Sequence, residues 1–583
     1  MKRIYLLLAG LVLFASCDNG FLDRPSLDEV TDDNYWTSVN DLISYNDKYF
    51  EAFPKHSGWS SFTFYSDRNS DNFIHTSYDS HLAGITEVPV TSNSYGTPWE
   101  WIRETNIFFE NVGRVNPSEG QKEIDHYTGE NHFFRAWFYF GLLKRYGSVA
   151  IVTKPLNVNS EELTAPRDSR TAVADFIISD LDKAIELLKP SSEANAFRIT
   201  KEIALLFKSR VCLYEGTWEK YHTGTVFGVD GSDGKKYLTI AAEVAGELID
   251  GKAHSVYMGS APETAYHNLF NKTNYGSVSE VMLWKQYSVD EGVTHNLNNR
   301  IPQQGMSFGL TKSLVESYLD TEGNPVASSN LFDWTTAEKS LSTVVKDRDP
   351  RLAQSVLSPG TVMQVRENGE EVIFDVPVLF GDGENQTSTG YQLYKGGSTD
   401  PAQYSGKNVG TVGSIIFRYA EALLNYAEAK AELGTLAQAD LDKSINKLRE
   451  RVGMPHMTLG NLPSDPNKNF PELSDLINEV RRERRVELAM EGFRFDDLMR
   501  WRAHKLLVGK RPKGFKFVGS DLENAYEGVK LGENLFVDTE GYIDPYQKSL
   551  PAGYAFNPDR DYLFPIPSEE FSLNPNMEQN PGW

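Results

Sequence analysis

A loop segment near the N-terminus combines aromatic rings with polar side chains. It reads GWSSFTFYSDRNSDNF and contains Trp59 and Tyr65, followed by Asp67, Arg68 and Asn72. A sugar ring has an apolar face of C–H groups and a rim of hydroxyls, so its binding site needs flat aromatic platforms beside side chains that hydrogen-bond the rim. These residue types therefore predict that the loop binds a carbohydrate.

Further aromatic platforms are expected at Trp99 and Trp334. Trp99 belongs to the segment YGTPWEW, which leads into a helix, and Trp334 follows a polar loop that contains Asn298. The chain has ten tryptophans, and most of them should pack in the interior. Apolar helical or strand surroundings assign four of them to the core: Trp137, Trp218, Trp284 and Trp501.

Sequence patterns for catalysis and metal binding are weak. The chain has no G-x-S-x-G elbow, no H-E-x-x-H pair, no phosphate-binding glycine loop and no Cys/His cluster. Paired carboxylates for glycoside hydrolysis stay open, because 81 acidic residues always offer pairs and only their separation in space is diagnostic. The segment VDGSDGKK, with Asp230, Asp233 and Gly234, resembles part of a calcium loop but lacks its full ligand spacing. We predict a tight turn there, no cofactor, and a protein that is not an enzyme.

The N-terminus has the pattern of a lipoprotein signal. Lys2 and Arg3 precede an apolar stretch at residues 4–15, and Cys17 follows after one small residue. The apolar stretch is too short to span a bilayer, which takes about 20 residues. We therefore predict a signal peptide at residues 1–16, cleavage before Cys17, and a lipid anchor on its sulfur.

The net charge of −23 excludes one class of partner. Binding to the phosphates of a nucleic acid needs a surplus of Lys and Arg, so no nucleic-acid partner is expected. Besides Cys17 the chain has one other cysteine, Cys212, in an apolar run of helical spacing. We predict that Cys212 is a small core side chain.

Helical spacing of apolar residues divides much of the chain into pairs of helices. Tyr419, Leu423 and Tyr426 recur at this spacing up to a stop at Gly434. Small Ala side chains fill much of that helix, which suits the close approach of two helices in a tetratricopeptide-like hairpin. The predicted pairs are residues 101–116 with 127–146, 171–188 with 200–214, 419–434 with 441–452, and 473–490 with 493–504.

Two stretches between the helical blocks have a different composition. Residues 255–415 are rich in Gly, Asn, Ser and Thr, with strand-like runs at 280–287 and 370–380, and residues 54–100 are similar but more aromatic. Long loops on a rigid scaffold usually carry function. We therefore place the ligand site where these two stretches meet.

No linker rich in Pro or Ser and no low-complexity tract divides the chain. We predict one mainly α unit over residues 17–583. It has an N-terminal region at about 17–220 and a loop-rich and C-terminal region at about 255–583.

The segment RRERRVELAMEGFRFDDLMRW, residues 481–501, carries acids and bases at helical spacing. Arg484, Glu487, Glu491, Arg494, Asp497 and Arg500 step by three or four residues, so acidic and basic side chains share one helix face. We predict ion pairs that fix how two helices pack.

This segment resembles the C-terminal hallmark of the SusD/RagB family, ExRxxELxxEGxRxxDLxRW. The matching positions are Glu483, Arg485, Glu487, Leu488, Glu491, Gly492, Arg494, Asp497, Leu498, Arg500 and Trp501. Four other segments resemble the family in the expected order: residues 21–36, 130–147, 417–434 and 562–583.

The resemblance implies a single SusD-like unit of tetratricopeptide-like helical hairpins, with long loop-rich insertions and a few short strands. It also implies an outer-membrane lipoprotein that captures oligosaccharides from a polysaccharide and delivers them to a SusC-like, TonB-dependent β-barrel. In SusD-like proteins a tryptophan at the start of a helix and polar residues of the preceding loop contribute to the glycan site. That role carries over to Trp99, Asp67 and Arg68.

Three alternative functions stay open. A peptide receptor, as in the RagB branch of the family, would use the same loop aromatics. A helical scaffold would need only its protein partner. A surface glycoside hydrolase would release reducing ends from its glycan.

Overall fold

The computed structural model describes residues 35–59, 62–381 and 383–583. The predicted signal peptide and Cys17 lie outside these ranges. The fold is mainly α, as predicted, with a few short strands. Within the described ranges, no helix combines the length and the apolar character that crossing a membrane would need.

Most of the regular structure in the described ranges is helical, and a few short strands lie between some of the helices. The α-helices are α1 (Val39–Asp47), α2 (Asn93–Asn111), α3 (Gln121–Tyr146), α4 (Arg170–Leu187), α5 (Lys201–Tyr221), α6 (Lys235–Gly251), α7 (Pro262–Leu269), α8 (Leu297–Gln304), α9 (Lys312–Ser317), α10 (Trp334–Ala337), α11 (Leu341–Val344), α12 (Pro350–Ala353), α13 (Tyr419–Glu432), α14 (Gln438–Asp442), α15 (Ile445–Arg451), α16 (Asp475–Glu487), α17 (Arg494–Arg500), α18 (Asp521–Ala525) and α19 (Ser568–Leu573). The strands are β1 (Phe73–His75), β2 (Val281–Lys285), β3 (Phe308–Leu310), β4 (Val362–Val365), β5 (Glu371–Ile373) and β6 (Ser414–Arg418). Short 3₁₀ turns lie at Lys48–Ala52, Thr63–Asp67, Val112–Arg114, Pro117–Glu119, Glu161–Thr164, Pro401–Gln403, Leu459–Asn461 and His504–Leu506.

The long helices pack side by side in a series. α2 packs on α3, α3 on α4, α4 on α5 and α5 on α6, while α13 contacts α5, α6 and α16. Gly216 of α5 permits a close approach between α5 and α6, because a Cβ there would lie 2.7 Å from Cγ of Leu238 in α6. The predicted stacking of helical hairpins is confirmed for the first three pairs, whereas α17, predicted to pair with α16, packs mainly on α5.

The observed helices differ from the predicted ones at two places. The run predicted at residues 441–452 is broken into α14 and α15 at Ser444, whose backbone angles are not helical. α6 was not predicted, although it packs against both α5 and α13. It begins directly after the predicted turn, where Gly234 has a φ of +73° and the side chain of Asp233 accepts a hydrogen bond from Lys235 N.

The strands form three antiparallel ribbons of two strands each: β1 with β3, β2 with β6, and β4 with β5. β2 confirms the strand predicted at residues 280–287, whereas β5 covers only three residues of the run at 370–380. A second hydrophobic core lies under the ribbons and loops, beside the core of the helical series.

The aromatic and sulfur-bearing core side chains lie where the sequence predicts. Trp218, Trp284 and Trp501 are buried, and Trp137 is half-buried against the helical core. Cys212 is a buried free thiol in α5.

Candidate functional site

The charged side chains of residues 481–501 are largely buried and paired with partners from distant parts of the chain. Arg418, at the end of β6, contacts Glu280 (2.9 Å), Glu487 (2.8 Å) and Glu491 (2.6 Å). We call this set the charge network; its other members are Asp71, Asp349, Arg351, Lys395, Glu428, Arg449, Arg451, Glu483, Arg484, Arg485, Arg494, Asp497 and Arg500. The predicted ion pairs are confirmed, and they join several elements instead of following one helix face.

Buried ions destabilise a protein unless they are paired and hydrogen-bonded. Burial alone would raise the pKa of Glu428, but Arg500 and Arg484 lower it to about 2. Arg500 contacts this carboxylate at 2.5 Å, and the Trp501 indole N–H donates to it at 2.7 Å. The carboxylate therefore stays ionised, and the network holds the elements that it joins in a fixed geometry.

One of these elements is the predicted ligand loop around Asp67. Its carboxylate accepts hydrogen bonds from the backbone N–H groups of Met490 (2.7 Å) and Gly492 (3.0 Å), in the turn between α16 and α17. Gly492 has a φ of +83°, and a Cβ there would lie 2.7 Å from Cβ of Ser66. The loop can therefore lie directly on this turn because residue 492 has no side chain.

Two further residues of the same loop, Asp71 and Asn72, are bound by arginine side chains. Arg494 contacts Asp71 at 2.6 Å, and Arg485 Nε donates to the Asn72 side-chain oxygen at 2.8 Å. Asp67 and Asn72 are buried. The structure thus places two of the predicted ligand residues in the support of the loop and not on its open side.

The open side of the loop lines an aromatic cleft with a volume of about 360 Å³. The cleft lies where the two loop-rich stretches meet, which is the place where the sequence analysis expects a ligand site. Its lining residues are Trp59, Tyr65, Arg68, Asn69, His75, Ser77, Tyr78, Asp79, Arg300, Met306, Phe308 and Glu384. The structure therefore brings Trp59, Tyr65 and Arg68 of the predicted site together.

Aromatic rings form the floor and one rim of the cleft. Tyr65 stacks on Phe308 with ring centres 4.8 Å apart, and Phe308 stacks on Phe73 at 5.1 Å. The pairing of β1 with β3 brings these rings together. Trp59 is 36% exposed, and the Arg300 guanidinium lies 5.6 Å from its ring centre. An exposed ring of this kind is a surface on which a flat apolar face can stack.

The backbone at the edge of the cleft is strained. Met306 and the following Ser307 both have positive φ angles, +57° and +62°. The Tyr65 hydroxyl donates to the Met306 sulfur, and Ser307 N donates to the Gln386 carbonyl at 2.6 Å. Two consecutive non-glycine residues in this conformation are costly, and such strain concentrates at ligand sites.

The polar groups of the cleft differ in what they already bind. Arg300 pairs with Glu384, and Asp79 accepts hydrogen bonds from the backbone N–H groups of His81 (3.0 Å) and Leu82 (2.9 Å). Arg68 is exposed and makes no ion pair or side-chain hydrogen bond within the described part of the chain. Its guanidinium is therefore the polar group most available to a ligand.

Besides Asp67 and Asn72, three predicted site residues lie outside the lining of the cleft. Trp99, in α2, is half-buried and packs edge-on against Tyr139 at 6.0 Å. Trp334 donates its indole N–H to the Tyr542 hydroxyl at 3.1 Å, and the Lys312 ammonium lies 4.9 Å from its ring centre. Asn298 is buried, and its side-chain oxygen accepts from Ser398 N at 2.8 Å. Their predicted roles in ligand binding remain predictions that the geometry does not favour.

Sequence reasoning missed several residues of the cleft. Tyr78 and Asp79 lie in the aromatic stretch 54–100, so composition could have indicated them. Phe308 and Glu384 come from the other stretch, and only the β1–β3 pairing and the chain path bring them to the cleft. No single-sequence signal marks that juxtaposition.

The described residues show no group of three or more His, Cys, Asp or Glu side chains placed to hold a metal ion. Asp233, of the segment that resembles part of a calcium loop, instead pairs with Lys235 at 2.5 Å.

Two family models match the chain. The model of the SusD family matches residues 279–583, and the model described as "Starch-binding associating with outer membrane" matches residues 21–213. The first match covers more than half of the chain and contains the charged segment 481–501.

Relatives and solved structures agree with these matches. A SusD-like protein of Formosa agariphila is 23% identical over 517 residues, which cover 85% of this chain and 90% of that protein. A crystal structure of a SusD-like protein from Bacteroides fragilis has a TM-score of 0.71 at 24% identity and covers 96% of this chain and all of that one. A SusD-like carbohydrate binding protein from the same species has a TM-score of 0.71 at 21% identity, with 93% of this chain and all of that chain covered. The match of the family model over residues 279–583 shows that this chain belongs to the SusD family.

Proposed function

We propose that this protein is a non-catalytic receptor that captures oligosaccharides in the aromatic cleft. The observation that carries the proposal is that an exposed Trp59 ring lines the same cleft as the Arg68 guanidinium, which is unpaired among the described residues. This cleft lies between the two loop-rich stretches. Sugar receptors combine an apolar platform with a few polar groups in this way.

One sugar ring would stack its C–H face on Trp59. Arg68 and Asn69 would hydrogen-bond the hydroxyls at its rim. The floor formed by Tyr65 and Phe308 would support a neighbouring residue of the same chain of sugars. A few contacts of this kind give modest affinity, which suits a receptor that must release its cargo.

Delivery of the cargo is the second half of the proposal. The receptor would be anchored in the outer membrane through a lipid on Cys17 and would pass oligosaccharides to a SusC-like, TonB-dependent β-barrel. Membership of the SusD family and the match to a model associated with the outer membrane support this assignment. Pull-down of outer membranes with the tagged chain should recover a β-barrel, and Trp59→Ala should leave that recovery unchanged.

Calorimetric titration tests the capture step. The full chain, in a detergent without a sugar headgroup, is titrated with neutral and acidic oligosaccharides and with a mixture of short peptides. We expect saturable heat from an oligosaccharide that remains intact, and at least a tenfold loss of affinity in Trp59→Ala. The matched control is Phe380→Ala, an aromatic side chain that is 40% exposed and lies outside the cleft.

Other outcomes would select one of the alternatives. Heat from peptides alone would assign the protein to the peptide-binding branch. New reducing ends in the titrated mixture would show a glycoside hydrolase. Unchanged affinity in Trp59→Ala, with normal unfolding, would place the site elsewhere.

A further inference from the structure

A second concavity with aromatic side chains in its lining lies outside the aromatic cleft. We call it the Phe197 groove; its volume is about 390 Å³. Its lining residues are Asp47, Phe50, Glu51, Phe53, Pro54, Lys55, Ala196, Phe197, Arg198, Leu283, Trp284, Lys285, Gln286 and Ile416. None of them lines the aromatic cleft, so the two concavities are separate places for a ligand.

Phe197 has two properties that its packing does not explain. Its φ is +64°, which is rare and costly for a bulky side chain, and its ring is 45% exposed. The ring meets Trp284 edge-on, with centres 5.3 Å apart and an angle of 63° between the planes. A hydrophobic residue that packed only for stability would gain more from burial in a relaxed conformation.

The neighbouring residues hold this strained conformation in place. Arg198 Nε donates to the buried carboxylate of Glu130 at 2.9 Å, and Ile199 N donates to the same carboxylate at 3.1 Å. The Arg198 guanidinium also lies 5.0 Å from the ring centre of Phe50. The chain directly after Phe197 is therefore fixed, and the fixed position presents the ring to the groove.

The rim of the groove is polar but its charges cancel. Glu51 pairs with Lys55 and, at 3.5 Å, with Lys285. Arg198 pairs with Asp47 and with Glu130. Glu130 is buried and does not line the groove. Counted with its partner Arg198, it brings the charges at the groove to three cations and three carboxylates, so no net charge remains, which favours an uncharged ligand.

One polar group of the rim is available to a ligand. Gln286 is exposed, and its amide makes no hydrogen bond to other described residues. An amide can both donate to and accept from a sugar hydroxyl.

We infer that the Phe197 groove is a second binding site, for a neutral oligosaccharide; the choice of ligand class rests on the proposed function. One sugar ring would stack on the exposed face of Phe197, the wall formed by Trp284 would contact its edge, and Gln286 would hydrogen-bond its hydroxyls. Two separate sites on one receptor would hold a long glycan more tightly than either site alone, because the second contact becomes intramolecular.

The test is to count binding sites in matched variants. The full chain, in a detergent without a sugar headgroup, is titrated with neutral oligosaccharides of glucose, mannose, xylose and galactose. We expect the unchanged protein to bind two equivalents of the recognised oligosaccharide. Trp59→Ala should retain binding at the groove, Phe197→Ala should retain binding at the cleft, and the double variant should bind none.

Three controls separate loss of the ring from loss of folding. Phe380→Ala removes an aromatic side chain of similar exposure outside both sites and should bind two equivalents. Phe197→Tyr keeps the ring and should also bind two. Phe197→Gly removes the ring in a residue that tolerates positive φ, so it should unfold no earlier than the unchanged protein and should still lose one equivalent.

Several results would overturn the inference. They are a single equivalent for the unchanged protein that Phe197→Ala retains, full binding in Phe197→Ala, no residual binding in Trp59→Ala, or no heat from any neutral oligosaccharide. Residual binding of peptides instead of sugars by Trp59→Ala would overturn the ligand class. Loss in Phe197→Ala without loss in Trp59→Ala would support the groove and contradict the cleft.

Discussion

The charge network and the aromatic cleft both contain arginine, but the network buries and pairs it, whereas in the cleft Arg68 is exposed and unpaired within the described residues. Arg418 in the network is buried and contacts three carboxylates, whereas Arg68 in the cleft is exposed and unpaired within the described residues. A buried guanidinium must be neutralised by the fold, so it cannot also serve a ligand. An exposed one contributes little to folding and is free to bind. The comparison teaches that dense, paired charge marks structure, while unpaired polar groups beside exposed rings mark function.

The two regions nevertheless depend on each other. Residues 481–501, which carry much of the network, hold the loop of residues 62–73 through Asp67, Asp71 and Asn72. Other side chains of this loop line the cleft. Asp67, Asp71 and Asn72 support the loop, and their sequence neighbours Tyr65 and Arg68 line the cleft. A ligand site on a loop gains precision when the loop is fixed from behind.

The largest effect is expected at the centre of the network. Arg418→Met should lower the free energy of unfolding by about 3–5 kcal/mol, because it leaves Glu280, Glu487 and Glu491 buried without this partner. Urea unfolding measures the change. Arg366→Met, in an exposed pair with Glu370, should cost less than about 0.5 kcal/mol. Equal costs in the two variants would refute the contrast between network and surface.

A pH-dependent effect should follow at Glu428. Its pKa is lowered from 4.5 to about 2 in the folded protein, so its contribution to stability is present above pH 4.5 and is lost as the pH falls toward 2. Glu428→Gln should cost about 3 kcal/mol at pH 7, and this cost should shrink between pH 4.5 and pH 2. Urea unfolding of both proteins across this range measures the difference. A cost that stays constant from about pH 7 to about pH 3 would contradict the ionised state assigned to Glu428; Glu186→Gln, at an exposed position, is the control.

A smaller effect on stability is expected at Trp99. Because the ring is half-buried against Tyr139, Trp99→Ala should lower the free energy of unfolding by about 2 kcal/mol and leave oligosaccharide affinity unchanged. Unfolding and titration of the same preparation measure both quantities. A tenfold loss of affinity with intact stability would restore Trp99 to the ligand site, as the resemblance to the family implies.

The smallest effect on stability is expected in the cleft itself. Arg68→Ala should change the free energy of unfolding by less than about 0.5 kcal/mol, because the side chain is exposed and has no partner among the described residues. It should weaken oligosaccharide binding about tenfold, which corresponds to about 1.4 kcal/mol. Unfolding curves and titration check the two numbers. Lost stability in this variant would show that Arg68 belongs to the support of the loop after all.

The sequence predicted the helical series because a helix buries a regularly spaced apolar face, whatever lies far away in the chain. Tyr419, Leu423 and Tyr426 carry that spacing, and α13 ends before Gly434 as predicted. α6 escaped prediction although it buries one apolar face. The Gly and Asp residues of VDGSDGKK favour a loop, and they lie directly before the first turn of α6. Local composition therefore does not indicate where this helix begins.

The residues of the candidate site were predicted only in part, and the reason differs from the one for α6. Neighbouring residues of one loop face opposite sides, so Tyr65 and Arg68 reach the cleft while Asp67 and Asn72 reach the charge network. By residue type alone, the residues that reach the cleft and those that support the loop are equally suited to bind a sugar. Only the path of the chain over the turn at Gly492 separates them.

The sequence by itself determined the family, the mainly α fold, the core tryptophans and the paired charges of residues 481–501, because local spacing and residue type are enough for these. The tertiary structure decided which aromatic rings stay exposed, since exposure depends on contacts between residues far apart in the chain. It joined Phe308 and Glu384 to the cleft and left Trp99 against Tyr139. It also brought the rings of Phe197 and Trp284 into contact, and no local sequence pattern could specify that contact.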